Sequence, residues 1–296
     1  MKLIKPSFLI KEQEPELIGI YRQIEYAGRI CYKSSNKITP DSSKEFVDRM
    51  IKSGHGAMLE HGTVYLKITY KDTNFTTLCM FYGKNKYSVL NHSEDNKIYY
   101  ITTNYRVLVE NNHLSDLKYL CEPTVFHKKR VTVHFICDRG VSHEFIRHRV
   151  MSFAQESTRY CNYSKDKFGN ELTFIIPCWM DIPEGSIYLG NYDKTSARYE
   201  DGNVYIIDTK PPYIGIDFIR SLCEAEYNYL SIVRNGWKPQ EARAVLPNSL
   251  KTELVMTGFV SDWEHFFRLR CDSAAHPQAR ELAIPLREEF IKRNYI

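Results

Sequence analysis

Hydrophobic positions recur along this chain with two different periods, and the two periods predict its helices and strands. Apolar residues spaced three and four apart share one face of a helix, so segments with that spacing are predicted to be helical. Proline near the start of a segment, or serine or aspartate just before it, marks a helix beginning. The predicted helices run from Pro15 to about Cys31, from Asp41 over Phe46, Met50 and Ile51, over residues 113–120, 142–149 and 217–233, from Pro239 to near Pro247, from Ser261 or Asp262 through Arg270, and over Pro277–Lys292.

Segments that alternate between apolar and polar residues predict the strands. The clearest of them, residues 130–137, is rich in β-branched and aromatic side chains. Residues 84–96 are polar and predict a loop, whereas residues 97–109 begin like a strand and continue with helical spacing, which leaves their structure open. The predicted strands are residues 3–10, 64–70, 76–82, 130–137, 172–176, 204–207 and 250–260.

The order of these elements predicts one mixed α/β (α+β) domain over residues 1–296. A chain of 296 residues is near the upper limit for one hydrophobic core, and 43% hydrophobic residues are enough to fill it. No internal repeat, low-complexity tract or linker divides the sequence. Residues 163–215 are rich in Gly, Asn, Asp, Lys and Pro, so we expect an insertion there.

Charge and cysteine content narrow the classes of partner. The net charge of +4 permits an anionic small molecule, but there is no basic tail or block, so no nucleic-acid partner is expected. Eight cysteines without a Cys-x-x-Cys pair argue against a zinc ribbon or a disulfide scaffold and favour reduced thiols in a cytoplasm. No signal-peptide core and no run of about 18 apolar residues are found, so we expect a cytoplasmic protein with no membrane partner.

Residues 147–160 hold the densest candidate chemistry. This stretch places three guanidiniums, one imidazole, one carboxylate and two serine hydroxyls within fourteen residues. Arginine presents a planar fork of donors that matches phosphate or carboxylate oxygens two at a time. A core segment would not concentrate such groups, because each would need a buried partner. The stretch therefore predicts an anion site for a phosphorylated ligand, with a solvated arginine face as the alternative.

A second polar cluster follows the second predicted helix, at residues 54–61. Its two histidines and one glutamate could be metal ligands, but the histidines are not four residues apart and no fourth ligand is nearby, so metal is not favoured. A helix end and turn with solvated side chains is the alternative. Arg243 and Arg270 both fall at predicted helix ends, where a lone arginine more often bonds helix carbonyls or water.

Arg147, His148 and Arg149, followed by seven residues and then Ser157, form a spacing that resembles the signature of the flavin-dependent thymidylate synthases. The spacing is highly specific at this length. The resemblance extends, in the family's order, over residues 59–61, 242–247, 269–272 and 276–278. Only residues 163–215 find no counterpart.

This resemblance implies a fold, an assembly and a reaction. The fold would be a single domain with a central, mostly antiparallel sheet and flanking helices, assembled as a homotetramer with active sites at subunit interfaces. The reaction would be the reductive methylation of dUMP to dTMP. Methylenetetrahydrofolate would supply the carbon, FAD reduced by NADPH would supply the hydride, and no metal would take part. Flavin carries the redox step in such enzymes while the protein positions and polarises.

The resemblance also implies a role for individual residues. Arg270 is implied as the catalytic residue, because its cation would stabilise negative charge as uracil N3 ionises. Arg159 is implied on the dUMP phosphate, and Arg243 is implied to reach dUMP from a neighbouring subunit. The implied dUMP-binding residues are Glu144, Arg147, Gln155, Glu156, Ser157, Thr158, Arg159, Arg243 and Arg270. The implied FAD-binding residues are His55, Glu60, Arg147, His148, Arg149, Val150, Ser261, His265, Leu269 and His276.

Several positions depart from the commoner family pattern. Gln155 replaces a glutamate, with Ala154 before it in place of asparagine, and can still bond uracil. Glu144 replaces a glutamine and would repel a phosphate, so we expect it to bond a sugar hydroxyl or a neighbouring arginine. Phe259, Ser261 and His265 stand where asparagine and arginine are common; Ser261 and His265 can still hydrogen-bond FAD.

Two other functions remain open at this point. The same arginines could serve a nucleotide-binding or nucleic-acid-binding module without catalysis, which a colourless purified protein would favour. Ser157 could be a hydrolase nucleophile, although it lies in no Gly-x-Ser-x-Gly elbow and no Asp–His pair is evident for it.

Overall fold

The structure, a computed structural model, describes residues 1–73, 75–93, 95, 97–165, 171–182, 184–187, 198–200, 203–205 and 214–296. The α-helices within these ranges are α1 (Glu16–Cys31), α2 (Ser42–Lys52), α3 (Gly56–Leu59), α4 (Phe75–Leu78), α5 (Tyr105–Glu110), α6 (Arg139–Phe145), α7 (Ile214–Arg234), α8 (Pro239–Ala242), α9 (Val260–Arg270) and α10 (Pro277–Lys292). The strands are β1 (Lys2–Ile4), β2 (Ser7–Lys11), β3 (Thr63–Thr69), β4 (Val89–Ser93), β5 (Ile98–Asn104), β6 (Arg130–Asp138), β7 (Ser152–Gln155), β8 (Thr173–Ile175), β9 (Gly185–Ile187), β10 (Arg198–Glu200), β11 (Asn203–Tyr205) and β12 (Lys251–Phe259). No helix among these residues is long and apolar enough to span a bilayer.

The strands form three sheets. The four-stranded sheet, in the order β2-β6-β12-β7, is antiparallel throughout, and β6 pairs with β12 along its whole length. The three-stranded sheet, β3-β5-β4, is also antiparallel. The five-stranded sheet, β10-β11-β9-β1-β8, is mixed, with β1–β8 and β11–β9 parallel. The predicted mixed α/β class with mostly antiparallel pairing is therefore confirmed. The prediction of one central sheet was wrong, because the described strands divide among three sheets.

The main core packs α9 and α10 against the four-stranded sheet. Trp263 and Phe266 come three residues apart on one face of α9, so both point into the core, where they are fully buried. Phe266 contacts Phe145 of α6 edge to face, with ring centroids 4.9 Å apart. The Trp263 indole N–H donates to the Val131 carbonyl at 3.1 Å, so its one polar atom is satisfied. This packing fixes the end of α9, which carries Arg270, relative to α6.

Long periodic segments are the ones predicted well. Helices α1, α2, α7, α9 and α10 and strands β3, β6, β8 and β12 are confirmed to within a few residues. Residues 97–109 divide into β5 and α5, as their double pattern allowed, and residues 114–119 form a 3₁₀ helix. The N-cap of α9 is Phe259 and neither Ser261 nor Asp262; Asp262 lies in the first turn of the helix, where its Oδ2 accepts the Phe259 N–H at 2.9 Å. Asp41 precedes α2 but makes no side-chain cap.

Four predictions of local structure were wrong. Residues 3–10 form two strands in different sheets, since Pro6 lacks the N–H that a continuous strand needs. Residues 76–82 lie in α4 and a following π-helical turn, because a short apolar run fits a helix as well as a strand. Residues 84–96 contain β4, and the helix predicted over residues 142–149 begins at Arg139 and ends at Phe145.

The described parts of the expected insertion join the rest of the chain. Strands β8 and β9 flank β1, and Phe174 and Leu172 are buried with Leu3 and with Leu222 of α7. Of the strand predicted over residues 204–207, β11 covers the first two residues, and residues 206 and 207 lie outside the described ranges. These segments therefore extend the fold around β1.

Candidate active site

The arginine-rich stretch connects a strand, a helix and an edge strand. Strand β6 ends at Asp138, whose side chain caps α6 by accepting the Val141 N–H at 2.7 Å. Helix α6 ends at Phe145, a turn carries Arg147 and Arg149, and β7 then pairs with β12. The stretch therefore lies where a helix that follows a strand ends and gives way to a loop.

Glu144, His148 and Arg270 form what we call the Arg270 cluster. The Arg270 Nη1–H donates to Glu144 Oε2 at 2.7 Å, and its Nη2–H donates to the Glu144 carbonyl oxygen at 2.7 Å. The Arg270 Nε–H donates to His148 Nε2 at 3.1 Å. A guanidinium has five N–H groups, so two remain for a ligand. The expected bond from Glu144 to a neighbouring arginine is thus present.

The electrostatics of this cluster keep His148 neutral. Burial, followed by the nearby charges of Arg270 and His265, lowers the pKa of His148 to about 4. Neutral imidazole can accept the Arg270 N–H, which imidazolium could not. Burial also lowers the pKa of Arg270; the Glu144 carboxylate acts in the opposite direction and Arg147 in the same one. The other ring nitrogen, His148 Nδ1, is buried without a hydrogen-bond partner.

The predicted FAD residues beside this cluster are mostly exposed. Arg147, Arg149 and Val150 are exposed in the turn, and Leu269 is 46% exposed. The His265 ring lies 5.8 Å from that of His148. His265 Nδ1 accepts a bond from Arg268 at 2.6 Å, and Ser261 is exposed on the same helix. The structure brings Arg147–Val150, His265 and Leu269 to the Arg270 cluster.

Residues 157–159, here called the 157–159 segment, meet Arg243 of the same chain. The Arg243 Nη1–H donates to Thr158 Oγ1 at 3.3 Å. The Ser157 backbone N–H donates to the Cys31 carbonyl at 3.1 Å, which ties the segment to the end of α1. Ser157 Oγ accepts the Arg159 N–H at 3.3 Å, and no described histidine bonds it. Ser157 therefore lacks the base that a hydrolase nucleophile needs.

His55 lies near the 157–159 segment rather than near the Arg270 cluster. The Tyr32 ring lies 5.5 Å from the ring of Tyr160, and the Tyr32 hydroxyl lies 3.2 Å from His55 Nδ1. The Arg159 guanidinium lies 5.5 Å from the centre of the same Tyr160 ring. Tyr32 and Tyr160 thus connect two exposed polar groups, His55 and Arg159, at this end of the stretch.

Two further predicted FAD residues are not brought to either group by any described contact. Glu60 Oε1 accepts a bond from Arg106 at 2.6 Å, and the Glu60 carbonyl accepts one from Arg130 at 3.1 Å. His276 precedes α10, with its ring 6.0 Å from that of Trp179. His61, which follows Glu60 in the chain, is fully buried against Thr257. The polar side chains of residues 54–61 therefore do not converge on one point, as metal ligands would.

Two predicted dUMP residues turn their side chains into the protein. Gln155 Nε2 donates to Ser142 Oγ at 2.8 Å and lies 3.3 Å from Thr252 Oγ1. Glu156 is 2% exposed, and its Oε2 accepts a bond from Lys251 at 2.7 Å. The implied contacts of both residues with dUMP stay predictions, because the bonds described here are to protein.

Sequence reasoning missed Tyr32, Lys33, Lys251 and Glu253. Lys251 and Glu253 are two residues apart on β12, a strand whose other residues are mostly buried. Residues two apart on a strand share a face. Two opposite charges on one face of a buried strand are a signal of an internal ion pair that could have been read from the sequence. Tyr32 and Lys33 carry no comparable signal.

Comparisons with known proteins point in one direction. A family model described as thymidylate synthase complementing protein matches residues 73–293. A flavin-dependent thymidylate synthase of Corynebacterium aurimucosum is 24% identical over 263 residues, 88% of this chain and 72% of that protein. One of Pyrococcus furiosus is 28% identical over 160 residues, so the match spans 54% of this chain and 53% of that protein. A solved structure, the UMP/dUMP methylase PolB of Streptomyces cacaoi bound with 5-Br dUMP, is 16% identical over 99% of this chain and 93% of that one, with a TM-score of 0.43.

Proposed function

This chain belongs to the thymidylate synthase complementing protein family, whose model matches more than half of it, and from that membership we propose that it is a flavin-dependent thymidylate synthase. It is a methyltransferase that converts dUMP to dTMP. Methylenetetrahydrofolate is the carbon donor and NADPH the reductant. The Arg270 cluster carries this proposal, because it presents an oriented cation with two unused N–H groups beside the Arg147–Ser157 spacing of the arginine-rich stretch.

Arg270 polarises the uracil. Three of its donors are held by Glu144 and His148, so its guanidinium is oriented before a ligand arrives. Preorganised charge stabilises a developing negative charge without a reorganisation cost during the reaction. The two remaining N–H groups can form a fork on uracil N3 and the adjacent carbonyl oxygen. Arg270 thereby stabilises the anion that makes C5 nucleophilic.

The 157–159 segment holds the nucleotide phosphate. Arg159 belongs to this segment and Arg243 contacts it at Thr158, and neither side chain forms an ion pair with the residues that the structure describes. Ser157 supplies a hydroxyl that can donate to a phosphate oxygen. Two guanidiniums and a hydroxyl match a dianion that accepts several charge-assisted bonds. Phosphate at this end places the base toward the Arg270 cluster.

FAD fits beside the Arg270 cluster. His148 Nδ1 is a buried polar atom that lacks a partner, and Arg147 and Arg149 are exposed cations beside exposed Val150 and Leu269. His148 can donate its Nδ1–H to a flavin acceptor, and the two arginines can bind its pyrophosphate. When bound, FAD supplies the hydride that converts the transferred carbon to a methyl group.

We also propose a homotetramer in a cytoplasm. Arg147, Arg149 and Leu269 are exposed on a single chain, and no described contact brings Glu60 or His276 to either group, as is expected when a second subunit completes a site. Arg243, however, reaches Thr158 of its own chain, so its predicted role from a neighbouring subunit is not required. No disulfide joins any of the eight cysteines, all of which lie within the described ranges, and this fits a reducing compartment.

Tritium release from C5-labelled dUMP tests the function directly. Release is expected only with NADPH and methylenetetrahydrofolate present, and the purified protein should show a flavin absorbance band. Arg270→Ala should lower the release rate by at least about a hundredfold, as for a lost oxyanion donor, while flavin stays bound. Arg234→Ala, at the exposed end of α7, is the control and should leave the rate unchanged. A colourless protein that binds nucleic acid, or full turnover by Arg270→Ala, would overturn the proposal.

A further inference from the structure

Directly beneath the 157–159 segment lies a buried group of two carboxylates and two ammonium groups, which we call the buried ion network. Its members are Lys33, Glu156, Lys251 and Glu253. Lys251 Nζ donates to Glu156 Oε2 at 2.7 Å and to Glu253 Oε1 at 2.6 Å. Lys33 pairs with Glu253 and lies 3.9 Å from Glu156 Oε2. The two positive and two negative charges balance, so the network closes on itself.

Both carboxylates are fully committed to protein partners. Glu156 Oε1 accepts the Tyr163 hydroxyl at 3.1 Å, so both of its oxygens are engaged at 2% exposure. Glu253 Oε2 lies 3.0 Å from His134 Nε2. Burial alone would raise the pKa of Glu253, but His134, Lys251 and Lys33 together lower it below its usual range. Both oxygens of each carboxylate are therefore occupied by groups of the protein itself.

The network bonds the backbone as well as the side chains. The Glu156 N–H donates to the Glu253 carbonyl at 2.8 Å, and the adjacent Ser157 N–H donates to Cys31. Lys33 follows α1 with a φ of 47°, in the left-handed region that side chains other than glycine rarely adopt. This conformation accompanies its contact with Glu253, so the end of α1 and the start of the segment are fixed by the same groups.

Stability alone does not account for such a network. A buried ion pair often contributes no more than well-packed apolar residues of similar volume, because both charges lose their hydration. Buried polar groups can instead specify one conformation among several compact ones. Because Glu156 of this network immediately precedes Ser157, the conformation that the network specifies is that of the 157–159 segment.

We propose that Glu156, held by Lys251 and Tyr163, positions the 157–159 segment for the nucleotide phosphate without touching the nucleotide itself. Glu156 is then a positioning residue, not the direct dUMP ligand that the family resemblance implied. This assignment rests on the proposed function, because the phosphate belongs to dUMP.

Glu156→Gln tests the assignment with the least change in shape. The amide keeps the volume but loses the charge that pairs with Lys251, so the KM for dUMP should rise about tenfold while kcat changes less than threefold and flavin content stays constant. Glu25→Gln is the matched control. Glu25 is 1% exposed, with Oε1 on Arg29 and Oε2 on Ser42, and none of the three belongs to the site. A dUMP KM within twofold of wild type in Glu156→Gln, or an equal rise in Glu25→Gln, would overturn the assignment.

A double variant separates positioning from stability. Glu156→Leu with Lys251→Met replaces the pair by apolar side chains, which should restore the unfolding temperature relative to Glu156→Leu alone while the dUMP KM stays raised. A KM that returns with stability would show that the network only stabilises the fold.

Amide hydrogen exchange keeps this inference separate from the proposed function. If the wild-type protein neither binds nor converts dUMP, the proposed function fails on its own. Exchange needs no ligand. The Ser157 N–H donates to the Cys31 carbonyl and the Cys161 N–H donates to the Ser157 carbonyl at 2.9 Å, so Glu156→Gln should accelerate exchange of both amides at least about tenfold relative to Glu25→Gln. Equal protection of these amides in both variants would reject a positioning role for Glu156.

Discussion

Glu156 and Arg159 are three residues apart, yet their charges are in opposite situations. Glu156 is buried, and both of its oxygens are bonded within the buried ion network. Arg159 is exposed and forms no ion pair among the described residues. A buried charge must be paired inside the protein, whereas an exposed charge is hydrated and stays available to bind a ligand. One region therefore holds the chain in place, and the other is available for chemistry.

The Arg270 cluster lies between these two extremes. Its guanidinium is half-buried and bonded to Glu144 and His148, but two of its N–H groups are unused. The three bonded N–H groups orient the guanidinium, and the two unused N–H groups can bind a ligand. The same residue can thus be both fixed and available, which is the arrangement that preorganised catalysis requires.

The largest effect on the free energy of unfolding should come from a substitution within the buried ion network. Lys251→Met leaves Glu156 and Glu253 buried with too few partners, so the free energy of unfolding should fall by about 3–5 kcal/mol. Chemical denaturation measures it. Lys44→Met is the control, because the Lys44–Asp48 pair is exposed to solvent and its loss should lower the free energy of unfolding far less. Equal losses in the two variants would remove the contrast between buried and exposed charge.

Breaking the exposed region should affect binding instead of folding. Arg159→Ala removes charge-assisted bonds to phosphate of about 1.5–3 kcal/mol, so dUMP affinity should fall about tenfold to a hundredfold. The free energy of unfolding should change by less than about 0.5 kcal/mol. Calorimetric titration with deoxyuridine, which has no phosphate, is the control and should show no change. An equal loss for deoxyuridine would place Arg159 away from the phosphate.

A separate buried group, the imidazole of His61, should make the folded protein less stable in acid. Burial, followed by the charge of Arg130, lowers the pKa of His61 to about 3 in the folded protein, below the ordinary 6.5. The unfolded chain therefore takes up this proton first as the pH falls, so stability is complete above pH 6.5 and is lost toward pH 3. Between pH 7 and pH 5 this group should cost on the order of 2 kcal/mol.

Thermal unfolding measured across pH tests that expectation. His61→Gln should flatten the decrease between pH 7 and pH 5, because glutamine takes up no proton. His143→Gln, at an exposed position of α6, should leave the slope unchanged. An unaltered slope in His61→Gln would mean that another group titrates.

The smallest effect should come from the intermediate region. Glu144→Gln removes a carboxylate that opposes an anionic ligand, while Arg270 keeps its bonds to the residue 144 carbonyl and to His148. The KM for dUMP should fall about fivefold, which corresponds to about 1 kcal/mol for a partly exposed charge. Steady-state kinetics at low and high salt measure this difference, which screening should reduce. A higher KM would instead show that Glu144 binds dUMP directly.

Much of the fold could be predicted because its long elements repeat their apolar period many times. The 16-residue α1 and α10 carry enough repeats to decide between helix and strand. The four residues of α4 and the four of β7 do not. The division into three sheets depends on pairings between distant strands, which local periodicity does not encode.

The site shows the same limit. Family spacing brought Glu144 and Arg270 into one prediction, although 126 positions separate them in the chain. It could not tell that Glu156 faces inward, because a carboxylate beside Ser157 suits a ligand and an internal lysine equally well. Only the position of Lys251 across the sheet decides between them.

The two-residue connection between β1 and β2 has a mechanical consequence. Lys5 and Pro6 join a strand of the five-stranded sheet to one of the four-stranded sheet. Three Cα steps from Ile4 to Ser7 can extend to at most about 11 Å. This short connection limits how far the two sheets can separate while β1 and β2 both stay paired. Relative motion of the two sheets at this junction is therefore confined to small displacements.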